Sequence, residues 1–149
     1  MAILISAFPG CGKTTVQRLL KDKIRIIDSD SSSFPKDNFP QNYINHIKEN
    51  ILKQDVIFIS SHETVRKALA EEGIPYMLYI PDLSRKQEFL ELYKLRGNNE
   101  TFIQLLDKNF ETFLDSCQND KSATAIITLK NNGEFIGNRG VFAELIKKK

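Results

Sequence analysis

Short apolar runs alternate along the chain with longer segments in which apolar residues recur at helical spacing. A last segment of helical spacing, residues 141–146, closes the chain. Within each run the apolar residues mostly follow one another directly, without polar residues at every second position. This is typical of parallel strands covered on both faces. This order predicts an α/β protein with a doubly wound parallel sheet and right-handed crossovers. The runs occupy residues 2–8, 24–28, 55–60, 75–80 and 123–129.

Size and charge limit the kind of site that the chain can carry. Its 149 residues, 41% of them hydrophobic, can bury one core, so we expect a single domain over residues 1–149. The 21 basic and 19 acidic residues leave a formal charge of +2. Such a balance predicts no capture of nucleic acid or membrane by charge alone. The sequence leaves open whether the protein is a monomer or a homodimer.

The cysteines and the N-terminus indicate the compartment. Cys11 and Cys117 are far apart and outside any zinc-binding spacing, so we expect neither a disulfide nor a metal centre built on them. No apolar run approaches the ~18 residues of a membrane span. The N-terminus lacks a basic leader and a cleavage site. These features predict a cytoplasmic protein without a membrane partner.

The stretch AFPGCGKTT lies between the first predicted strand and the first predicted helix. It matches the pattern [AG]-x-x-x-x-G-K-[ST] from Ala7 to Thr14. Such a loop directs backbone N–H groups at a phosphate, and the following helix N-terminus adds partial positive charge. Lys13 can reach the β- and γ-phosphates of a nucleotide, and the Thr14 hydroxyl can ligate Mg²⁺. The predicted nucleotide-binding residues are Pro9, Gly10, Cys11, Gly12, Lys13, Thr14 and Thr15.

Two aspartates follow the second predicted strand, in the stretch IIDSDSSSF. Ligands of an open parallel sheet bind outside the carboxyl ends of its strands, so Asp28 and Asp30 should lie beside the phosphate loop. Asp28 is predicted to hold Mg²⁺ through water. Asp30 is predicted to contact the acceptor and to orient or deprotonate it. A solvated acidic turn is the alternative.

The phosphate loop, the D-S-D triplet after the second strand and a later arginine-bearing segment resemble the nucleotide-kinase group of P-loop proteins. That group includes nucleoside monophosphate kinases, shikimate and gluconate kinases, and the kinase domain of polynucleotide kinases. The resemblance implies a P-loop NTPase three-layer α/β/α fold, a parallel sheet of order 2-3-1-4-5, a helical lid and ATP as donor. Its motifs are specific for phosphoryl transfer but poor at naming the acceptor.

The predicted lid covers residues 81–100. Arg85 and Arg96 are eleven residues apart, close to three whole helical turns, so they should share a face. Phe89 and Leu92 lie on that face between them. This stripe predicts a helix that faces the cleft and offers guanidinium groups to the transferring phosphoryl. The alternative is an amphipathic helix whose arginines lie at the edges of its packed face.

Residues near the ends of the second and third strands are predicted to bind the acceptor. His62 follows the third strand, and Arg66 lies one turn into the next helix, where it could reach an acceptor phosphate. Phe34 and Tyr43 could stack on a base, or they could pack their loop against the sheet. Arg139, after the last strand, is expected beside the adenine of ATP.

The third strand does not end on an acidic residue, which departs from the monophosphate kinases and shifts metal binding toward Asp28.

Taken together, the motifs predict a kinase that transfers the γ-phosphoryl of Mg-ATP to a small-molecule acceptor, with a nucleoside monophosphate or related nucleotide favoured. A hydroxyl acceptor, either a small metabolite or a nucleic-acid 5′-end, and a non-kinase ATP-binding or hydrolysing module are alternatives. The near-neutral charge disfavours nucleic acid. The predicted catalytic residues are Lys13, Asp30, Arg85 and Arg96.

Overall fold

A parallel sheet forms the centre of the protein, for which a computed structural model describes residues 2–29, 34–138 and 142. The sheet has five strands in the order β2-β3-β1-β4-β5. Each strand overlaps one of the apolar runs, so the predicted strands are confirmed, as is the order that the resemblance implied. The strands are β1 (Ile3–Ala7), β2 (Ile26–Ser29), β3 (Val56–Ser60), β4 (Met77–Pro81) and β5 (Ala125–Leu129).

Helices cover both faces of this sheet. None of the helices in the described ranges is long and apolar enough to cross a membrane. Short 3₁₀ turns at Lys36–Asn38, Leu83–Arg85 and Ile136–Asn138 join some of the elements. The α-helices of the described residues are α1 (Lys13–Leu20), α2 (Gln41–Asn50), α3 (Glu63–Glu71), α4 (Lys86–Leu95) and α5 (Glu100–Gln118).

The two central strands explain the unbroken apolar runs. β1 pairs with both β3 and β4, and β1 and β3 are buried at nearly every position because helices lie on both sides. Parallel pairing also brings the carboxyl ends of strands to one edge, where Ala7 lies opposite Ser60 and Ser29 lies opposite Ile59. The loops that carry the predicted chemistry begin at this edge.

Two apolar clusters hold the layers together. One joins α2 and α3 to the sheet through residues such as Ile44, Ile57 and Leu69. The larger one packs side chains of α1, α4 and α5, Phe110 among them, against the sheet through residues such as Ile5 and Phe58, which alternate along β1 and β3 with those of the first cluster. Phe142 is fully buried in this cluster, with its ring centroid 5.8 Å from that of Phe58. The rest of the helix predicted at residues 141–146 lies outside the described residues.

The predicted lid segment is built from several pieces. Residues 81–100 hold the end of β4, a 3₁₀ turn, α4 and the turn that leads into α5. Gly97, with φ +79°, lies in that turn. Asn99 then begins α5, since its side chain accepts a hydrogen bond from the Phe102 amide at 2.8 Å.

Candidate active site

The loop between β1 and α1 has the shape of a phosphate cradle. Gly10 and Gly12 have φ values of +93° and +98°, a region that residues with a Cβ rarely adopt. A Cβ on Gly10 would lie only 3.0 Å from atoms of Phe89 and Tyr93. A Cβ on Gly12 would approach Phe135 Cβ at 3.1 Å. Both glycines are therefore required by backbone conformation and by close packing.

The start of α1 carries no group of its own that neutralises its partial positive charge. Gly12 is the N-cap, makes no side-chain hydrogen bond, and is followed by a first turn without acidic residues. The first helical hydrogen bond runs from the Val16 amide to the Gly12 carbonyl at 3.1 Å. A helix end of this kind suits a bound phosphate. Thr14 and Thr15 lie in this first turn and line the cleft.

Lys13 and Asp28 meet across the mouth of the loop. Lys13 is the first residue of α1, Asp28 lies near the end of β2, and Nζ is 3.7 Å from Oδ1. Their side chains are 22% and 26% exposed, so both remain accessible to a ligand. They line a cleft of about 1480 Å³, which is large enough for a nucleotide together with a second small molecule.

Donor groups for Mg²⁺ are present but sparse. Among the described residues there is no cluster of three or more acidic, His or Cys side chains that could hold a metal ion. Asp28 and the Thr14 hydroxyl are an oxygen pair of the kind that Mg²⁺ takes when it also binds nucleotide phosphates and water. The glycine cradle and this pair fit Mg-ATP. Asp30 and Arg139 lie outside the described residues, so their predicted roles stay predictions.

Cys11 is a packed residue of the loop. Its side chain is fully buried, and Sγ lies 3.9 Å from the Tyr79 carbonyl oxygen. Burial raises the pKa of this thiol to about 12, so it stays protonated at neutral pH. Its backbone carbonyl accepts from the Ile136 amide at 2.9 Å. Cys11 therefore contributes backbone shape to the loop and no nucleophile.

Helix α4 supports the phosphate loop directly, which the sequence did not reveal. The Tyr93 hydroxyl donates to the Pro9 carbonyl at 2.7 Å. Tyr93 is 1% exposed, and its ring packs edge-on against Phe102. The sequence signal that could have pointed to Tyr93 is its position four residues after Phe89, on the same apolar face of the helix. An apolar stripe alone does not identify which carbonyl its hydroxyl will meet.

The expectation that Arg85 faces the cleft is wrong. Arg85 is 1% exposed and lies in the 3₁₀ turn before α4 rather than on that helix. Its guanidinium binds both carboxylate oxygens of Glu88 at 2.8 Å and donates to the Leu129 and Glu134 carbonyls. It also lies over the ring of Phe135, 5.1 Å from the centroid. These contacts fasten the segment after β5 to α4.

Arg96 lies at the cleft, and its role as a lid arginine stays a prediction. It is the C-terminal cap of α4, is exposed, and lines the cleft together with Leu92 and Asn98. Because Arg85 precedes α4 and turns inward, the two arginines do not share a cleft-facing surface. The turn that carries Arg96 is the part of the predicted lid that reaches the site.

His62 and Arg66 differ in their access to the cleft. His62 is exposed at the N-cap of α3, where its amide donates to Ser60 Oγ at 3.2 Å. Arg66 is 4% exposed. Its Nη1 donates to Asp120 Oδ2 at 2.9 Å, and its Nε donates to the Ser61 carbonyl at 2.8 Å. The expected reach of Arg66 toward an acceptor phosphate is therefore wrong, because this guanidinium is held by the protein.

Tyr43 and Phe34 pack the loop against the sheet. Tyr43 is fully buried, so the expectation that it stacks on a base is wrong. Its hydroxyl donates to the Ser29 carbonyl at 2.6 Å and accepts from the Ser60 amide at 3.4 Å, which ties the ends of β2 and β3 together. Phe34 lies edge-on to Tyr43, with ring centroids 5.0 Å apart, and is partly buried.

A second side chain from α2 fixes the end of β2. His46 Nε2 lies 2.9 Å from Ser29 Oγ, and Asn50 Nδ2 donates to the His46 carbonyl at 2.9 Å. Ser29 is 5% exposed and directly follows Asp28. These contacts from α2 hold the end of β2 in place and therefore fix the position of Asp28 at the cleft.

The five-stranded parallel sheet of order 2-3-1-4-5, with helices on both faces, matches the P-loop kinase fold. A crystal structure of a gluconokinase from Sinorhizobium meliloti 1021 is similar, with a TM-score of 0.52 and 14% sequence identity. The similarity covers 98% of this chain and 87% of that one, and at this identity it concerns the fold alone. No protein-family model and no curated protein matches the chain.

Proposed function

We propose that this chain is a phosphotransferase that binds Mg-ATP on the loop before α1 and transfers its γ-phosphoryl group to a small acceptor. The observation that carries the proposal is the position of Lys13 directly after the glycine cradle, with Nζ 3.7 Å from Asp28 Oδ1. An amine at this place contacts the β- and γ-phosphates of a nucleotide. Asp28 faces the same region and suits the metal.

Phosphoryl transfer depends on positioning and charge neutralisation. An acceptor oxygen bonds to the γ-phosphorus, the bond from that phosphorus to the β–γ bridging oxygen breaks, and ADP leaves. In this proposal Lys13 and Arg96 neutralise charge on the transferring group, and Thr14 and Asp28 hold Mg²⁺. Bound Mg²⁺ would supply further neutralisation of the phosphates. Asp30 is proposed from its place in the sequence to take the acceptor proton.

The compounds to be tested as acceptors are chosen from the sequence prediction and from the similar solved structure. The sequence favoured a nucleoside monophosphate or a related nucleotide, with a hydroxyl acceptor as the alternative. The similar solved protein is named a gluconokinase, so gluconate belongs in the panel. A cleft of about 1480 Å³ accommodates any of these molecules beside ATP.

Turnover of ATP to ADP with Mg²⁺ tests the proposal. Nucleosides, nucleoside monophosphates, a 5′-hydroxyl oligonucleotide, shikimate and gluconate are each compared with a blank that contains no acceptor. We expect one acceptor class to raise turnover well above the blank. Turnover that is equal without acceptor would instead favour an ATP-hydrolysing module.

The matched variants are Lys13→Ala and Lys21→Ala. Lys21 is the exposed C-terminal cap of the same helix, so its loss changes net charge equally without touching the loop. Lys13→Ala is expected to lower kcat/KM by about a hundredfold or more, as loss of one transition-state charge contact does. Full activity of Lys13→Ala would overturn the assignment of the phosphate loop.

A further inference from the structure

The charged side chains beside the end of β3 are paired with one another. Arg66 is bound to Asp120, with Nη1 2.9 Å from Oδ2. Glu63, at the start of α3, forms an ion pair with Lys67 at 3.0 Å. Ser116 of α5 joins the two pairs, because its hydroxyl accepts from Arg66 Nη2 at 2.7 Å and donates to Glu63 Oε2 at 2.9 Å. Two positive and two negative charges therefore balance.

Further hydrogen-bond donors hold the Asp120 carboxylate of this ion pair in place. Tyr76 donates its hydroxyl to Asp120 Oδ2 at 2.6 Å, and the Ser122 and Ala123 amides donate to Oδ1. Both side chains of the ion pair are 5% exposed. Moving the guanidinium toward a ligand would leave a buried carboxylate without its counter-charge, which is strongly unfavourable.

Among the described residues, this ion-paired group beside the end of β3 adds no net positive charge. A phosphate monoester carries about two negative charges at neutral pH. The basic side chains that line the cleft within the described ranges are Lys13, His62, Arg66 and Arg96. The proposed function uses Lys13 and Arg96 for the donor phosphates and the transferring group, and Arg66 is held by Asp120.

Helix α5 lines the same cleft with apolar side chains. Phe113 lies three residues before Ser116, so the two are neighbours on the helix surface. Leu106 and Leu105 continue this lining toward α4, where Leu92 joins them. Leu105 has a large apolar side chain, yet the residue is 52% exposed. An apolar wall beside a charge-balanced group suits an uncharged molecule with a planar or apolar body.

We propose, on the basis of the function proposed above, that the acceptor is an uncharged hydroxyl compound with a planar or apolar body, of the nucleoside type. A nucleoside monophosphate would bring a dianion to the end of β3, where the guanidinium of Arg66 is already bound to Asp120. A polyhydroxy acid such as gluconate would leave the α5 wall uncovered. In the reaction the hydroxyl oxygen bonds to the γ-phosphorus, ADP leaves, and the hydroxyl proton ends in solvent.

Matched acceptors on the unmodified protein test this inference. Each of the common ribo- and deoxynucleosides is compared with its own 5′-monophosphate, which differs from it only by the phosphate, and with gluconate. We expect at least one nucleoside to give a kcat/KM about tenfold or more above its monophosphate and above gluconate. A monophosphate or gluconate that matches or exceeds the best nucleoside would overturn the inference and leave the kinase proposal standing.

ATP binding measured by calorimetry separates the remaining outcomes. If ATP binds and no compound of the panel is phosphorylated, the inference about the acceptor is wrong. If ATP does not bind in the presence of Mg²⁺, both the inference and the proposed function fall.

Two exposed leucines provide a control for the apolar wall. Leu105→Asn places an amide in the wall, whereas Leu95→Asn makes the same change at a residue of α4 that is 84% exposed and does not line the cleft. We expect Leu105→Asn to raise the KM for the nucleoside about tenfold and leave the KM for ATP unchanged, with neither altered by Leu95→Asn. Equal effects of the two variants, or an effect on ATP alone, would contradict the proposed wall.

Discussion

The amine of Lys13 lies 3.7 Å from Oδ1 of Asp28, so the first residue of α1 meets the end of β2 across the mouth of the phosphate loop. Both side chains are partly exposed, and an ion pair of this kind contributes only about 0–1 kcal/mol to stability. The pair therefore has little value as a structural contact. Its position beside the glycine cradle is the basis of the phosphate and metal binding proposed above.

Replacing Asp28 with Asn tests the metal side of this pair. Asn keeps the size of the side chain but removes the negative charge that would attract Mg²⁺ or its bound water. We expect the Mg²⁺ concentration for half-maximal activity to rise about tenfold, while the free energy of unfolding changes by less than about 1 kcal/mol. Magnesium titration of activity and urea denaturation measure the two quantities. An unchanged magnesium requirement would remove Asp28 from the metal site.

The hydroxyl of Tyr93 is predicted to hold the phosphate loop in its binding shape. Tyr93→Phe keeps the packed ring and removes the 2.7 Å bond to the Pro9 carbonyl. We expect a loss of about 1 kcal/mol of stability and a several-fold rise in the Kd for ATP, read by calorimetry. Tyr76→Phe is the matched control, because it removes a buried hydroxyl bond to Asp120 that does not touch the loop. Similar ATP affinities in the two variants would contradict the prediction.

The buried pair of Arg66 and Asp120 predicts a pH-dependent stability. Burial alone raises the pKa of Asp120, but hydrogen bonds from Tyr76, Arg66 and two backbone amides outweigh it, so the pKa lies below its usual range. A carboxyl whose pKa is lowered on folding stabilises the fold above its unfolded pKa of about 3.9 and loses this contribution as pH falls through the folded value.

Asp120→Asn measures that contribution. At pH 7 we expect the variant to be about 3–5 kcal/mol less stable, since it leaves the Arg66 charge buried without its partner. The difference should shrink as the pH is lowered below about 4, because the unfolded chain then binds a proton at Asp120 that the folded protein takes up only at a lower pH. Urea denaturation from pH 7 to pH 3 gives the result. A difference that stays constant over this range would mean that the carboxylate charge is not what stabilises the contact.

Both thiols are predicted to be unreactive in the folded protein. Cys11 and Cys117 are 0% and 2% exposed, and burial raises the pKa of each thiol, to about 12 for Cys11. Because the thiolate is the reactive form, modification of Cys11 at pH 8 should be about a thousandfold slower than that of a free thiol, and modification of Cys117 should also be slowed. We expect a thiol reagent to leave native activity intact and to modify both cysteines in denaturant. Rapid loss of activity would mean that the loop around Cys11 opens.

Local sequence determined much of the fold and the phosphate loop. Parallel strands buried on both faces must be apolar at consecutive positions, so the runs at β1 and β3 were readable without the structure. The loop was equally readable, because Gly10 and Gly12 have positive φ values that other residues rarely adopt. Lys13 and Asp28 followed from topology, since the ends of neighbouring parallel strands meet at one edge.

The tertiary structure decided which polar side chains remain available to a ligand. Arg85, Arg66 and Tyr43 have the residue types of a binding site, yet each is buried and held by partners far away in the chain. Sequence spacing reports which face of a helix a residue shares, but it does not report the distant carbonyl or carboxylate that meets it there. Asp120 lies 54 residues from Arg66, and only the packing of α5 beside α3 brings the two charges together.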